Sequence, residues 1–141
     1  MTRRALSEAI AHLMPYIIRG VHLDFFVKTG VTQMQFLVLM AIHASGRCTM
    51  GTLARTMHVR MPTATGIVDR LVKAHFVHRM PMPDDRRQVV VELTRRGEAF
   101  IRQFQAVVSR RWDEILFTLS AKELEAFGGV VTKLHAQLHP S

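Results

Sequence analysis

Apolar residues recur along the chain first at helical spacing, then at period two, then at helical spacing again. Leu6, Ile10, Leu13, Ile17 and Val21 stand three or four residues apart and form one face of a first helix. Pro15 lies within it and is expected to kink it, because proline donates no backbone hydrogen bond. The pattern stops near Thr29-Gly30. Thr32 to Gln35 then has the form of a capping box, with Met34, Leu37, Val38 and Ala41 as the inward face of a helix that ends at Ser45-Gly46. Thr49 caps a short helix expected to bury Leu53, Ala54 and Met57. The turn His58-Val59-Arg60 leads into MPTATGIVDRLVKAHF, where Ile67, Val68 and Leu71 face inward and Pro62 is tolerated in the first helical turn.

From Phe76 the period changes to two. Phe76 to Met80 reads as one short strand, and Val89 to Leu93 as a second. MPMPDDRR between them reads as the turn, since proline keeps its neighbours out of the helical region. Two helices close the chain. In the first, Ile101, Phe104, Val108, Trp112, Ile115 and Leu119 step by three or four residues. A helix from Arg95 to Leu119 would be about 37 Å long at ~1.5 Å per residue. Ser120 to Glu123 is a second capping box, followed by Leu124, Phe127, Val131, Leu134 and Leu138 on one face. Stripes of this length exceed what a small domain covers internally, and a second chain is the natural cover.

The expected fold is therefore mainly α with a small two- to three-stranded β wing. A short helix, a tight turn, a second helix and then a hairpin with a basic tip make the order of a winged helix-turn-helix. The parts divide as 1–30, an N-terminal helix; 31–96, the winged helix-turn-helix; and 97–141, the long C-terminal helices. The first and last would build a dimerisation region.

Composition narrows the partner. The chain has 141 residues, a hydrophobic fraction of 48% and a formal charge of +8, with a pI near 11.0. A disordered chain is excluded, and an anionic partner is favoured. Between Arg47 and Arg102 eleven basic residues face five acidic ones, which accounts for six of the eight net charges. The charge thus concentrates on the helix-turn-helix and the wing. A solvated basic surface without a polyanion is the bland alternative. One cysteine, Cys48, excludes an internal disulfide and suits a reducing compartment. The N-terminal segment opens with Arg3-Arg4, but Glu8 and His12 interrupt its apolar run and no clean cleavage site follows. With no run of roughly 18 apolar residues, a soluble cytoplasmic protein with no membrane partner is expected.

From Thr32 to Gly97 the chain resembles the MarR family of bacterial transcription regulators. The carrying residues are LARTMHVRMPTATGIVDRLVKAHFVHR and DDRRQVVVELTRRG. Asp85 and Arg87 occupy the Asp-x-Arg of that family's wing, and Leu93, Thr94 and Gly97 its Leu-Thr followed by Gly. The resemblance implies that Arg87 enters the minor groove, whose negative potential attracts an arginine. It also implies that Asp85 holds the Arg87 guanidinium extended, which a carboxylate can do bidentately. Arg86 would touch phosphate and Asp84 would shape the turn. The alternative for DDRR is a solvated loop of self-neutralising charges.

For the second helix of the pair, Arg60, Thr63, Thr65 and Arg70 are the expected DNA contacts, with Met61, Pro62 and Gly66 nearby. Threonine hydroxyls reach bases or phosphates, and threonine methyls pack on thymine. Each of these could instead be a plain surface residue. Two positions depart from the family's pattern. Arg60 stands where many relatives have a serine that caps the helix, so that cap is weaker or supplied otherwise. His75 stands where relatives have glycine, and a left-handed backbone there would strain it.

Other chemistry finds little support. His135 and His139 have ligand spacing but no third ligand nearby, and no metal or other cofactor is expected. Cys48 beside Arg47 reads better as an inert thiol than as a redox switch. No nucleophile-base motif or Gly-rich phosphate loop is identifiable, so an enzyme is not expected. The reading that follows is a homodimeric, sequence-specific repressor on double-stranded DNA with a pseudo-palindromic operator. By resemblance, a small aromatic or phenolic effector would release it. Phe25, Phe26, Met34 and Trp112 could line the effector's cleft or be plain core. A non-sequence-specific basic nucleic-acid binder is the alternative, and a winged helix used only as a protein scaffold is a third.

Overall fold

In the computed structural model, which describes residues 1–138, the Thr2 side chain caps helix α1 (Arg3–Val21) by accepting the Ala5 N–H at 3.1 Å. α1 runs through Pro15, and the departure from α geometry falls after it, in a π-helical turn at His22–Phe26. The extra residue in that turn is followed by α2 (Val27–Thr29), which Gly30 ends in the left-handed conformation at φ 71°. Phe25 is carried into the core by this turn. Its ring meets Phe26, Phe36, Phe100 and Phe104, with centroids 4.8–6.2 Å apart.

α3 (Gln33–Ser45) starts with the expected capping box. Gln35 N–H donates to the Thr32 hydroxyl at 3.1 Å, and Thr32 N–H to the Gln35 side chain at 3.0 Å. Its buried face matches the expected one only in part, at Val38 and the partly covered Ala41. Phe36, Val38, Leu39 and Ile42 are buried, whereas Met34 and Leu37 are exposed. The segment QMQFLVLMAI is apolar nearly all round, so its periodicity selects no face.

After α3 come β1 (Arg47–Thr49), α4 (Met50–Thr56), α5 (Met61–Lys73), β2 (Val77–Met82), β3 (Asp85–Leu93) and α6 (Arg95–Leu116). The strands form an antiparallel sheet in the order β1-β3-β2. β1 has only three residues and exists because β3 offers it an edge, Cys48 lying opposite Val91. The hairpin is longer than its sequence suggested. Pro81 is inside β2 opposite Val89, and only Pro83 and Asp84 remain as the turn. β2 is an edge strand, where a missing N–H breaks no ladder. Val90 and Val91 are both buried and Val89 is exposed, because β3 is the central strand and is covered on both faces near its end.

The Leu-Thr-x-x-Gly run has a specific task at the start of α6. Thr94 N–H donates to the Phe76 carbonyl at 3.0 Å. The Thr94 hydroxyl donates to the His75 carbonyl at 2.5 Å and accepts the Gly97 N–H at 3.1 Å. Gly97 is buried so closely against Phe76 that a Cβ there would lie 2.2 Å from its carbonyl oxygen. The end of α5, the start of β2 and the start of α6 are thereby tied at one point.

By contact, the chain divides into two units, Met1–Val107 and the part from Val108 onward. The first unit holds the buried core, centred on Leu39, Ile42, Val68, Leu71, Val91 and Ile101. In the second, α7 (Ala121–Leu138) begins with the second capping box: Ser120 N–H donates to the Glu123 carboxylate at 2.8 Å. The Trp112 and Phe127 rings lie 6.2 Å apart there. α6 ends at Leu116 rather than at Leu119. No single helix among the described residues is long and apolar enough to cross a membrane. His139, half of the histidine pair weighed as metal ligands, lies outside the described residues.

Candidate nucleic-acid interface

Thr49 caps α4 by accepting the Thr52 N–H at 3.1 Å, and Leu53 and Ala54 seat the helix on the core while Met57 is only partly covered. The helix closes through His58, which takes a left-handed φ of 53°, and Val59 N–H donates back to the Ala54 carbonyl at 3.1 Å. Histidine tolerates that region better than a branched residue would. The chain turns sharply and reaches Arg60, whose extended backbone begins α5. No side chain caps this helix, as the missing serine implied, and Pro62 stands in its first turn.

Ala64, Val68 and Leu71 bury one face of α5. The opposite face is exposed and carries Arg60, Met61, Pro62, Thr63, Thr65, Gly66 and Arg70. All seven residues expected on the reading surface therefore lie outside the core. Gly66 has nothing within 4 Å of where a Cβ would be, so packing does not require glycine. Its bare backbone leaves room for close approach from outside. At the end of the helix His75 adopts a φ of 62°, the left-handed backbone that its glycine-like position demands.

The wing is irregular where its charge is greatest. Pro81 opposes Val89, but Met82 opposes Asp85, so Arg86, Arg87 and Gln88 are extra residues on β3. Such a bulge re-aims side chains out of the ladder, and all three are exposed. Asp85 does not hold the Arg87 guanidinium. Its Oδ1 accepts the backbone N–H of Arg87 at 3.0 Å, an arrangement an aspartate makes readily two residues before its donor. The expected clamp on the side chain is thus replaced by a clamp on the backbone.

An open groove of about 610 Å³ runs between these parts, with Thr52 and Arg55 of α4, Met61 of α5, and Arg87 and Gln88 of β3 on its walls. Arg55 Nη2 donates to the Thr52 hydroxyl at 3.2 Å, which keeps that guanidinium on the groove's side of α4. Arg55 was missed in the sequence because only the folded chain brings α4 beside the wing, and Gln88, next to Arg87 in the chain, because the bulge that exposes it leaves no local signal.

Two charge clusters lie on the same elements. Glu92 accepts from His78 Nε2 at 2.6 Å and from Arg47 Nε at 3.4 Å, and the three residues sit opposite one another across the sheet. The His78 hydrogen bond, with help from Arg47, holds the Glu92 carboxyl below the usual glutamate range. Asp69 of α5 is ion-paired with Arg79 of β2, whose Nη2 also lies 3.5 Å from the Thr65 carbonyl. The Cys48 thiol is buried at β1, and burial pushes its pKa up, which suppresses thiolate chemistry.

The four residues weighed as an effector pocket or as plain core stand in different surroundings. Phe25 is 2% exposed and enclosed by other rings, and Phe26 packs against Phe36. Met34 is on the exposed side of α3, and Trp112 belongs to the second unit. The first unit has a separate open cleft of about 310 Å³, lined by Thr29, Phe76, Arg96, Ala99, Phe100 and Gln103. The Arg96 guanidinium lies 5.0 Å from the Phe76 ring centroid at that cleft.

Comparison with known proteins gives the geometry a context. The family model described as MarR family matches residues 31–89. The multiple antibiotic resistance protein MarR of Escherichia coli is 31% identical over 112 residues, covering 79% of this chain and 78% of that protein. The transcriptional repressor NicR of Pseudomonas putida is 38% identical over 100 residues, covering 68% of this chain and 63% of NicR. A Cys-to-Ser mutant of Escherichia coli MarR complexed with operator DNA superposes with a TM-score of 0.61 at 27% identity, covering 92% of this chain and 93% of that one.

Proposed function

Since the chain belongs to the MarR family, whose members are DNA-binding transcription regulators and not enzymes, we propose that it is a homodimeric repressor of a pseudo-palindromic operator. Two copies of α5 would enter successive major grooves, with half-sites about 10 bp apart. Arg60, Thr63, Thr65 and Arg70 would contact the duplex along α5, with Met61, Pro62 and Gly66 close to it. Arg87 would enter the minor groove from the wing, and Arg86 would meet phosphate. The observation that carries this reading is the exposed polar face of α5 beside a bulge that turns Arg86 and Arg87 outward.

Dimerisation is supported by apolar faces left uncovered in the single chain. Leu6, Ile10 and Leu13 of α1 and Val131 and Leu134 of α7 are 47–54% exposed. Contiguous apolar surface at this scale is what a second copy buries. Repression is proposed by likeness to NicR, a transcriptional repressor. Release by a small aromatic or phenolic effector would act by favouring a dimer whose α5 helices are wrongly spaced, a population shift. The ring-lined cleft at Phe76, Phe100 and Arg96 supports an effector of that chemistry.

Fluorescence anisotropy on the protein's own upstream DNA and on a scrambled duplex, at two salt concentrations, tests the reading. Tight binding to the upstream duplex alone is expected, with Arg87→Ala weaker by about tenfold. Equal binding to both duplexes that collapses with salt would instead mean phosphate contact without sequence reading.

A further inference from the structure

α5 carries one acidic residue, Asp69, on the exposed face that also holds Thr65 and Arg70. An unmasked carboxylate there would face the phosphates of any duplex that α5 approaches. It is not unmasked: Arg79, ten residues on in β2, is ion-paired with it. Arg79 also points Nη2 at the Thr65 carbonyl, 3.5 Å away and one helical turn before Asp69. One guanidinium therefore spans a turn of α5 from the neighbouring strand. Both contacts come from the one Nη2, whose two N–H groups can serve two acceptors at once.

We propose that Arg79 is a positioning residue for DNA binding, one that neutralises Asp69 beside the reading face of α5, rather than a phosphate contact. The inference rests on the reading that α5 meets DNA. Its physical basis is that the two partners are committed to each other. If Arg79 moved to a phosphate it would leave Asp69 bare against a polyanion.

The two roles separate in a double-mutant cycle read by anisotropy on the preferred duplex. Arg79→Gln should weaken binding about tenfold, Asp69→Asn should leave it within about threefold, and the double variant should recover most of the loss. The slope of log affinity against log salt should stay near wild type in the double variant. A phosphate-contacting Arg79 gives the opposite result: the double variant stays as weak as Arg79→Gln, and the salt slope falls by about 1. That outcome overturns the proposal. The pair is exposed enough that thermal melts should scarcely move, so weakened binding would not reflect unfolding. Should Arg79→Gln fail to fold, Asp69→Asn alone still decides, since a loss beyond tenfold there contradicts simple neutralisation. A wild-type chain that prefers no duplex would overturn both this inference and the reading beneath it.

Discussion

Asp85 accepts the backbone N–H of Arg87 and leaves its guanidinium untouched. Position 85 should therefore serve the wing as an oxygen two residues before Arg87 rather than as a negative charge. Asp85→Asn keeps that oxygen and should bind operator DNA at least as well as wild type, since it also removes an anion from a DNA-facing loop. Asp85→Ala removes the acceptor and should weaken binding about tenfold by loosening the bulge that aims Arg87. Anisotropy titrations of the two variants separate the possibilities. If Asn is as damaging as Ala, a clamp on the guanidinium operates in the complex after all.

Gly97 sits where no side chain fits. A Cβ would come within 2.2 Å of the Phe76 carbonyl oxygen, and that oxygen already accepts the Thr94 N–H. The nearest obstacle is the Phe76 backbone, so it cannot swing aside as a flexible side chain would. Gly97→Ala should destabilise the fold by about 1–3 kcal/mol, the usual range for overpacking. A thermal melt with the same midpoint as wild type would refute this.

Much of this architecture was legible in local sequence, and the failures share a cause. The two capping boxes, the Thr49 cap and the missing cap at Arg60 depend on residues within four positions of each other, and the structure has them as read. The left-handed backbone at His75 was legible through the family's glycine. Features that depend on distant partners were not. β1 is too short to announce itself and forms only on the edge of β3. The buried face of α3 is set by what packs on it, because its own sequence is apolar on every side. Pro81 looked like turn because nothing local says that β2 is an edge strand. The Asp69–Arg79 pair and the groove wall at Arg55 and Gln88 require the wing to be folded beside α5 before they exist. For the same reason the residue type at position 85 was legible while the atom it serves was not.

His75 at φ 62° is a point of strain that a substitution can relieve. A residue with a Cβ held in the left-handed region costs about 1 kcal/mol or more, and glycine there forgoes most of that penalty. Part of the gain is offset because glycine has more freedom to lose on folding. His75→Gly should therefore raise the melting temperature by about 2–4 °C. The Thr94 hydroxyl would keep its acceptor, since it bonds to the backbone carbonyl rather than to the imidazole. A lowered melting temperature would show that the imidazole makes a contribution greater than the backbone strain.

Glu92 sets an acid limit on the sheet. The hydrogen bond from His78, and after it the Arg47 contact, hold its carboxyl below the usual glutamate value of 4.5. An acid whose folded pKa is depressed binds its proton more readily when unfolded. Its stabilising contribution is thus fully present above the unfolded value and is lost as pH falls through the folded one. Glu123 adds to the same trend, because the Ser120 N–H favours its charged form. Glu123 is exposed and Glu92 only partly covered, so the effect on the fold should be modest in size but definite in sign. The cleaner observable is a difference. Wild type should melt above Glu92→Gln at neutral pH, with the gap narrowing as pH falls below about 4.5 and closing only once pH has passed below the depressed folded value, where both side chains are neutral. Scanning fluorimetry of the two proteins across that range is sufficient. Two melting curves that run parallel into acid would mean that the row Arg47-Glu92-His78 contributes shape to the sheet and no charge-dependent stability.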